Sequence, residues 1–305
     1  MPDIQQIKDE NSPFVQLLLL GVYAIAGLFV LFVIALLLVF FRHGMEGFTD
    51  LSWLNGAKGN YISDLKIVLS AQQLGFFLVP ALLLAITERK RQHVFYGLGK
   101  PKIEIVGLVF LLMLVSAPLM EWVNIMNQKM VLPEFLKSVE QWMRLKEDEG
   151  IVATQALLKM KDIPDLLVNT IVIALIPAVC EEFIFRGALQ RTFLRWFKNP
   201  HLAIWTGAII FSAIHIQFYG FFPRMLLGAT FGYLYFWTGS IWYSVFAHFL
   251  NNAYAVCAAF YMQKNNLPMD QESTFSAAWY GYLISAILTL ALLKFLKDKR
   301  INYEN

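Results

Sequence analysis

Charge is scarce in this chain: Asp, Glu, Lys and Arg together make up only 15% of its 305 residues, against 58% hydrophobic. A soluble domain carries about a quarter charged residues, so the composition excludes an ordinary soluble fold and calls for a bilayer. Cysteine is nearly absent. The two present, Cys180 and Cys257, lie in apolar stretches without metal-type spacing, which argues for neither a disulfide scaffold nor a thiolate centre and leaves buried packing as their role. No basic patch stands out either. The net charge of +3 is small and dispersed, so no nucleic-acid partner is expected and the surplus reads as membrane orientation. Repeats of useful period and low-complexity linkers are lacking, which leaves a single integral-membrane domain over 1–305.

What the chain has instead is apolar length. From Phe14 to Phe41 the only strongly polar side chain is Gln16, a run too long for a signal peptide and long enough for a tilted helix to cross a hydrocarbon core of roughly 30 Å. It reads as a retained first span. Further spans are expected at Leu65 to Thr87, Ile103 to Val123, Leu166 to about Phe185, Leu202 to Ile216, Phe222 to Trp237, Ile241 to Tyr261 and Phe275 to Leu296. The fold class is therefore all-α, a polytopic bundle of about eight spans. The fifth and sixth, short and partly polar, belong in its interior.

Lys and Arg collect on the cytoplasmic side of a membrane. Arg89, Lys90, Arg91, Lys100 and Lys102 follow the second span, and Lys294, Lys297, Lys299 and Arg300 follow the eighth, so both termini are expected in the cytoplasm. Arg191, Arg195 and Lys198 fall on the same side by alternate crossing, on an amphipathic arm continuing the fourth helix. The connection from Asn124 to Asp165 has no such bias. In it Phe135, Leu136, Val139, Trp142 and Met143 recur at helical spacing, the pattern of an amphipathic helix lying on the interface or capping the bundle.

Charged side chains inside apolar spans need a partner or a function. In AVCEEFIFRG, Glu182 and Arg186 share a helix face at i and i+4 and pair, while Glu181 points about 100° away and stays free for chemistry. His215 lies four residues after Phe211 in FSAIH; His248 and Asn252 lie four apart in AHFLNN. Singly, each reads as helix packing. Depth brings them together, since Glu181 and His215 lie roughly 27 Å and 22 Å from the turn at Asn199 and Pro200 at ~1.5 Å per residue. Gly228 and Gly232 form a small-residue face suited to close helix packing. Phe218, Tyr219, Phe221 and Phe222 read as interface anchors.

EEFIFRG, FSAIH and HFLNN fit the patterns EExxxR, FxxxH and HxxxN, in that order on successive apolar helices. The chain thus resembles the CPBP family, the CAAX proteases and bacteriocin-processing enzymes, with 166–261 as catalytic core. The resemblance implies an intramembrane endopeptidase acting on a peptide or lipidated-protein substrate in a membrane. It assigns Glu181 as general base, His215 as the partner holding water, Glu182, Arg186 and Phe211 as supports, and His248 with Asn252 as donors to the oxyanion. An imidazole N–H and a carboxamide NH₂ supply such donors. No cofactor is required on this reading. Zinc on Glu181, His215 and His248 is its rival, with HExxH absent and the histidines on different helices. Two other functions compete: a catalytically silent scaffold or bacteriocin-immunity-type protein, and a proton-coupled transporter, against which stands the lack of inverted repeats. A multi-pass protein of the plasma (inner) membrane is expected.

Overall fold

The computed structural model describes residues 10–49, 51–55, 61–268 and 278–299, and among them every regular element is helical. We number the longer helices α1 (Pro13–His43), α2 (Ile62–Thr87), α3 (Ile103–Gln128), α4 (Lys137–Leu157), α5 (Ile163–Phe197), α6 (Pro200–Ala213), α7 (Phe221–Thr238), α8 (Ile241–Lys264) and α9 (Trp279–Lys299). The chain forms the polytopic helical bundle expected from its sequence. Five helices, α1, α2, α3, α5 and α9, are long and apolar enough to cross a membrane, and α6 is apolar but shorter. The other two expected spans, α7 and α8, pack against each other and against α3. The last span starts at Trp279; Phe275 and Arg300 lie outside the described residues.

Local chemistry explains most boundaries. Ser12 caps α1, its side chain accepting from Val15 N–H, and Pro13 occupies the first turn, where a missing N–H costs nothing. Asp162 caps α5 by accepting from Asp165 N–H. Asn199 caps α6 by accepting from His201 and Leu202, immediately after Lys198 turns left-handed at φ 53°. The expected turn at Asn199 and Pro200 is therefore present. In α3, Pro118 interrupts the backbone ladder. Ser285 of α9 repairs it, accepting from Leu119 N–H and donating to the Val115 carbonyl, and so fastens α9 to α3.

Two helices carry π-helical stretches one turn ahead of a proline, Leu74–Leu78 before Pro80 in α2 and Thr170–Leu175 before Pro177 in α5. A proline ring crowds the carbonyl four residues back, and a wider turn relieves it. A third stretch, Phe183–Gln190 in α5, has no such proline. Gly187 lies within it, and a Cβ there would strike the Tyr96 ring.

The principal core gathers around α5. Phe183, Ile184 and Phe185 pack with Leu84 of α2, Phe211 of α6 and Ile241 of α8. Gly27 of α1 and Gly75 of α2 meet backbone to backbone, since a Cβ on either would run into the other's carbonyl. The opposite face of α1 is bare and apolar, with Ile25 and Phe29 each 69% exposed, as suits a helix facing lipid.

The expected continuation of the fourth helix is present, α5 running to Phe197, and on it the Arg191 and Arg195 side chains are each 12% exposed and both pair with Glu10. Two expectations change. Cys257 is exposed, whereas Cys180 is buried as expected. The aromatics after α6 are not simply interface anchors: Trp142 of α4 packs on Phe218 and Arg144 lies 4.5 Å over the Tyr219 ring, so α4 caps the bundle at this loop.

Candidate functional site

The polar residues singled out in α5 and α8 meet inside the bundle. Glu182 is fully buried, and its Oε1 accepts from Arg186 Nη1 at 2.9 Å and from His248 Nδ1 at 2.8 Å. The i, i+4 spacing puts Arg186 on the face of Glu182, as the sequence implied. The imidazole arrives from α8, 66 residues away in sequence. Two charges buried together cost several kcal/mol each unless paired and hydrogen-bonded, and this arrangement pairs them. Arg186 spends a further N–H on the Gly228 carbonyl at 2.8 Å, and its guanidinium lies 4.7 Å from the Phe211 ring centre and 5.4 Å from that of Phe231.

One turn beyond Arg186, Gln190 donates to the Gly232 carbonyl at 3.0 Å. Residues 186 and 190 of α5 thus read the backbone at 228 and 232 of α7. The glycines make this approach available: a Cβ at Gly228 would sit 3.3 Å from Arg186 Nη2, and one at Gly232 would sit 2.7 Å from Gln190 Oε1. Packing, the role expected of this small-residue face, is the role it has.

Glu181 is 5% exposed and is not free of partners. Its Oε1 accepts from Gln73 Nε2 at 3.2 Å, and its Oε2, which has no hydrogen-bond partner among the described residues, lies 3.9 Å from His248 Nε2. Gln73 was missed in the sequence. Its signal was available, an amide beside Gln72 at the edge of the apolar run 74–86, and such a group needs a partner. Gln73 directly precedes the π-helical stretch of α2, and Glu182 directly precedes that of α5.

His215 stands differently from expectation. Helix α6 ends at Ala213, so His215 is on the turn that follows rather than inside the span. The backbone N–H of His215 contacts the Ser212 carbonyl at 3.4 Å, one residue short of the helical partner, which releases the Phe211 carbonyl. The ring takes it up, Nδ1–H donating to Phe211 O at 2.7 Å. A carbonyl only accepts, so the proton is on Nδ1 and the Nε2 lone pair faces away from the helix end. His215 reaches the cluster through Phe211, whose ring centre is 5.2 Å from its own and 5.7 Å from that of His248. No hydrogen bond joins it to Glu181 among the described residues.

Asn252 lies one turn beyond His248 on α8 and is half-buried, with its Oδ1 accepting from Asn251 at 3.3 Å. Its NH₂ has no protein acceptor among the described residues. Asn251 also faces a cavity of about 560 Å³ between α3, α7 and α8, apolar for the most part, with Arg224 and Glu121 in its wall.

A metal would need three converging donors, and among the described residues no group of three His, Cys, Asp or Glu side chains is placed to hold one. Of Glu181, His215 and His248, the two histidines have Nδ1 held, by the Phe211 carbonyl and by Glu182, and only Glu181 Oε2 and His248 Nε2 come near each other, at 3.9 Å.

Residues 163–254 match the family model described as Type II CAAX prenyl endopeptidase Rce1-like. The Uncharacterized protein YpbD of Bacillus subtilis (strain 168) is 29% identical over 126 residues, which cover 39% of this chain and 59% of that protein. The aligned part is therefore under two thirds of the relative's length. No solved structure matches the chain significantly. The matched stretch, under half of the chain, contains Glu181, Glu182, Arg186, Phe211, His215, His248 and Asn252 together, and through it the chain is similar to the Rce1-like CAAX prenyl endopeptidase family.

Proposed function

We propose that this protein is an intramembrane endopeptidase in which Glu181 activates water against a peptide bond of a membrane-associated substrate. The observation that carries the reading is the buried group of two carboxylates, one guanidinium and one imidazole on α5 and α8, inside the segment that matches the family. Gln73 occupies Oε1 of Glu181, leaving Oε2 to face His248 Nε2 across 3.9 Å. That gap is too wide for a direct hydrogen bond and suits a water held by both atoms.

In this mechanism Glu181 takes a proton from the water while its oxygen attacks the carbonyl carbon. The C=O electron pair moves onto the oxygen, where the Asn252 NH₂ donates to it. His248 joins as a donor only with a proton on Nε2 as well, since Nδ1–H is committed to Glu182. Glu181 then returns its proton to the amide nitrogen as the C–N bond breaks, giving a carboxylic acid and an amine. His215 offers the Nε2 lone pair to the same water. Glu182 and Arg186 hold the imidazole in place, and no metal takes part.

For substrate we propose a peptide or lipidated protein in the plasma (inner) membrane, of the prenylated CAAX type that the family description names. The test is cleavage of a quenched fluorescent peptide library, including a farnesylated CAAX peptide, by purified wild type and Glu181→Ala, each with and without chelator. Cleavage by the wild type alone, insensitive to chelation, is expected. A folded wild type that cleaves nothing argues for a packing scaffold, and reversible loss of activity on zinc removal overturns the metal-free route.

A further inference from the structure

A second buried polar network lies away from the candidate active site, and its residues take no part in the mechanism above. Glu10, whose side chain is 1% exposed, is gripped by Arg191 through two hydrogen bonds of 2.6 and 2.7 Å. Arg195 Nη1 adds an ion-pair contact at 3.2 Å, while its Nη2 donates to the Asn11 carbonyl. Thr192 donates to Gln16 Oε1 at 3.1 Å. Residues 10–16 are thereby fixed to the far end of α5.

The same short segment is also fixed to the far end of α2. Glu88 accepts from Asn11 N–H at 2.9 Å, from Asn11 Nδ2 at 3.2 Å and from Gln16 Nε2 at 2.9 Å. Gln16 thus touches both sides, accepting from Thr192 and donating to Glu88. Farther along these two helices, roughly 22 Å from Glu88 and 15 Å from Arg191 at ~1.5 Å per residue, are Gln73 and Glu181, the pair whose contact joins α2 to α5 at the site. A π-helical stretch intervenes on each helix. Such stretches are rare, confined to short bulges and enriched at functional sites.

We propose that residues 10–16 form a cross-brace between α2 and α5, and that Glu10 is a positioning residue which sets the placement of Glu181 against Gln73 from the opposite end of the helices. The kinetic part of this inference rests on the protease reading; the mechanical part does not. Loss of the brace acts on the placement of the base and not on substrate binding. It therefore lowers kcat at constant KM, because a misplacement of about 1 Å is worth up to ~100-fold in rate.

The test uses the full-length protein in nanodiscs: wild type, Glu10→Gln, and the charge swap Glu10→Arg with Arg191→Glu. Hydrogen exchange is read over 181–190 and over α9 as an internal reference, alongside kcat and KM for the best peptide. Glu10→Gln is expected to exchange about tenfold faster over 181–190, with α9 unchanged, and to lose about tenfold in kcat at constant KM, and the swap is expected to recover both in part, since Arg195 then meets a like charge at position 10. Unchanged exchange over 181–190 overturns the brace whether or not any peptide is cleaved. Faster exchange with kcat unchanged, or with KM alone raised, overturns the positioning role and leaves a strap that only stabilises. A wild type that cleaves nothing removes the protease reading, and exchange alone then decides for or against the brace.

Discussion

Gln73 Nε2 donates to Glu181 Oε1 at 3.2 Å, joining residues 108 positions apart at the centre of the bundle. The bond occupies one carboxylate oxygen and leaves the other toward His248. Gln73→Ala removes this constraint without adding charge. We expect kcat to fall about tenfold with KM little changed, since the loss is one of orientation. Steady-state kinetics on a cleaved peptide check this; a purely raised KM would place Gln73 in substrate binding instead.

Asn252 offers an NH₂ that no described acceptor occupies. Asn252→Ala is expected to cost about a hundredfold to a thousandfold in turnover, the usual loss for one oxyanion donor, in a protein that stays monodisperse. Wild-type turnover in a folded mutant would end the assignment.

Arg186 is 2% exposed and is the cation that balances Glu182. Arg186→Ala leaves a buried carboxylate without its guanidinium and the Gly228 carbonyl without that donor. A loss of about 3–5 kcal/mol is expected, read as reduced yield and a lower Tm in detergent. Arg186→Lys should recover little, because a single ammonium does not reproduce contacts made through two guanidinium nitrogens.

Glu10 gives the brace a pH signature. Burial alone pushes its carboxyl pKa up, but the hydrogen bonds and charge of Arg191, the charge of Arg195 and the bond from Gln16 outweigh burial and hold it below the ordinary 4.5. A group with a depressed folded pKa contributes its stability above the unfolded value and loses it as pH falls through the folded one. The Tm difference between wild type and Glu10→Gln should therefore be full near neutral pH and shrink steadily below 4.5. A difference independent of pH across that range would show that the charge of Glu10 is not what holds the segment.

Much of the site was legible because helix geometry is local. Glu182 and Arg186 were paired by spacing alone, and the turn before α6 was marked by Asn199 and Pro200. What escaped was non-local or irregular. Gln73 reaches Glu181 from another helix, and no spacing rule spans 108 residues. Glu10 meets Arg191 for the same reason, so two arginines that look like cytoplasmic loop charges are in fact ion-paired and largely covered. His215 was assigned to a helix because hydropathy continues to Ile216, whereas the backbone ends the helix at Ala213 and the imidazole takes over a carbonyl. Of the expected spans, five are long and apolar enough to cross a membrane; α7 and α8 pack among other helices, where contact with protein relaxes the demand for continuous apolar sequence.

The second π-helical stretch in α5, Phe183–Gln190, can be restated as one residue more than an α-helix of the same length would hold. Glu181 and Glu182 lie before that surplus residue, Arg191 and Arg195 after it. Removing a single residue between 187 and 190 would let the stretch close to a plain α-helix with both flanks keeping their faces, whereas the same deletion from a regular α-helix swings everything beyond it by about 100°. Glu182 would keep its bond to His248, and both arginines would keep their side toward Glu10. In this helix the spelling of the candidate site and the spelling of its anchorage are joined by a stretch that can absorb a one-residue offset, so a deletion there is the one least able to uncouple the two.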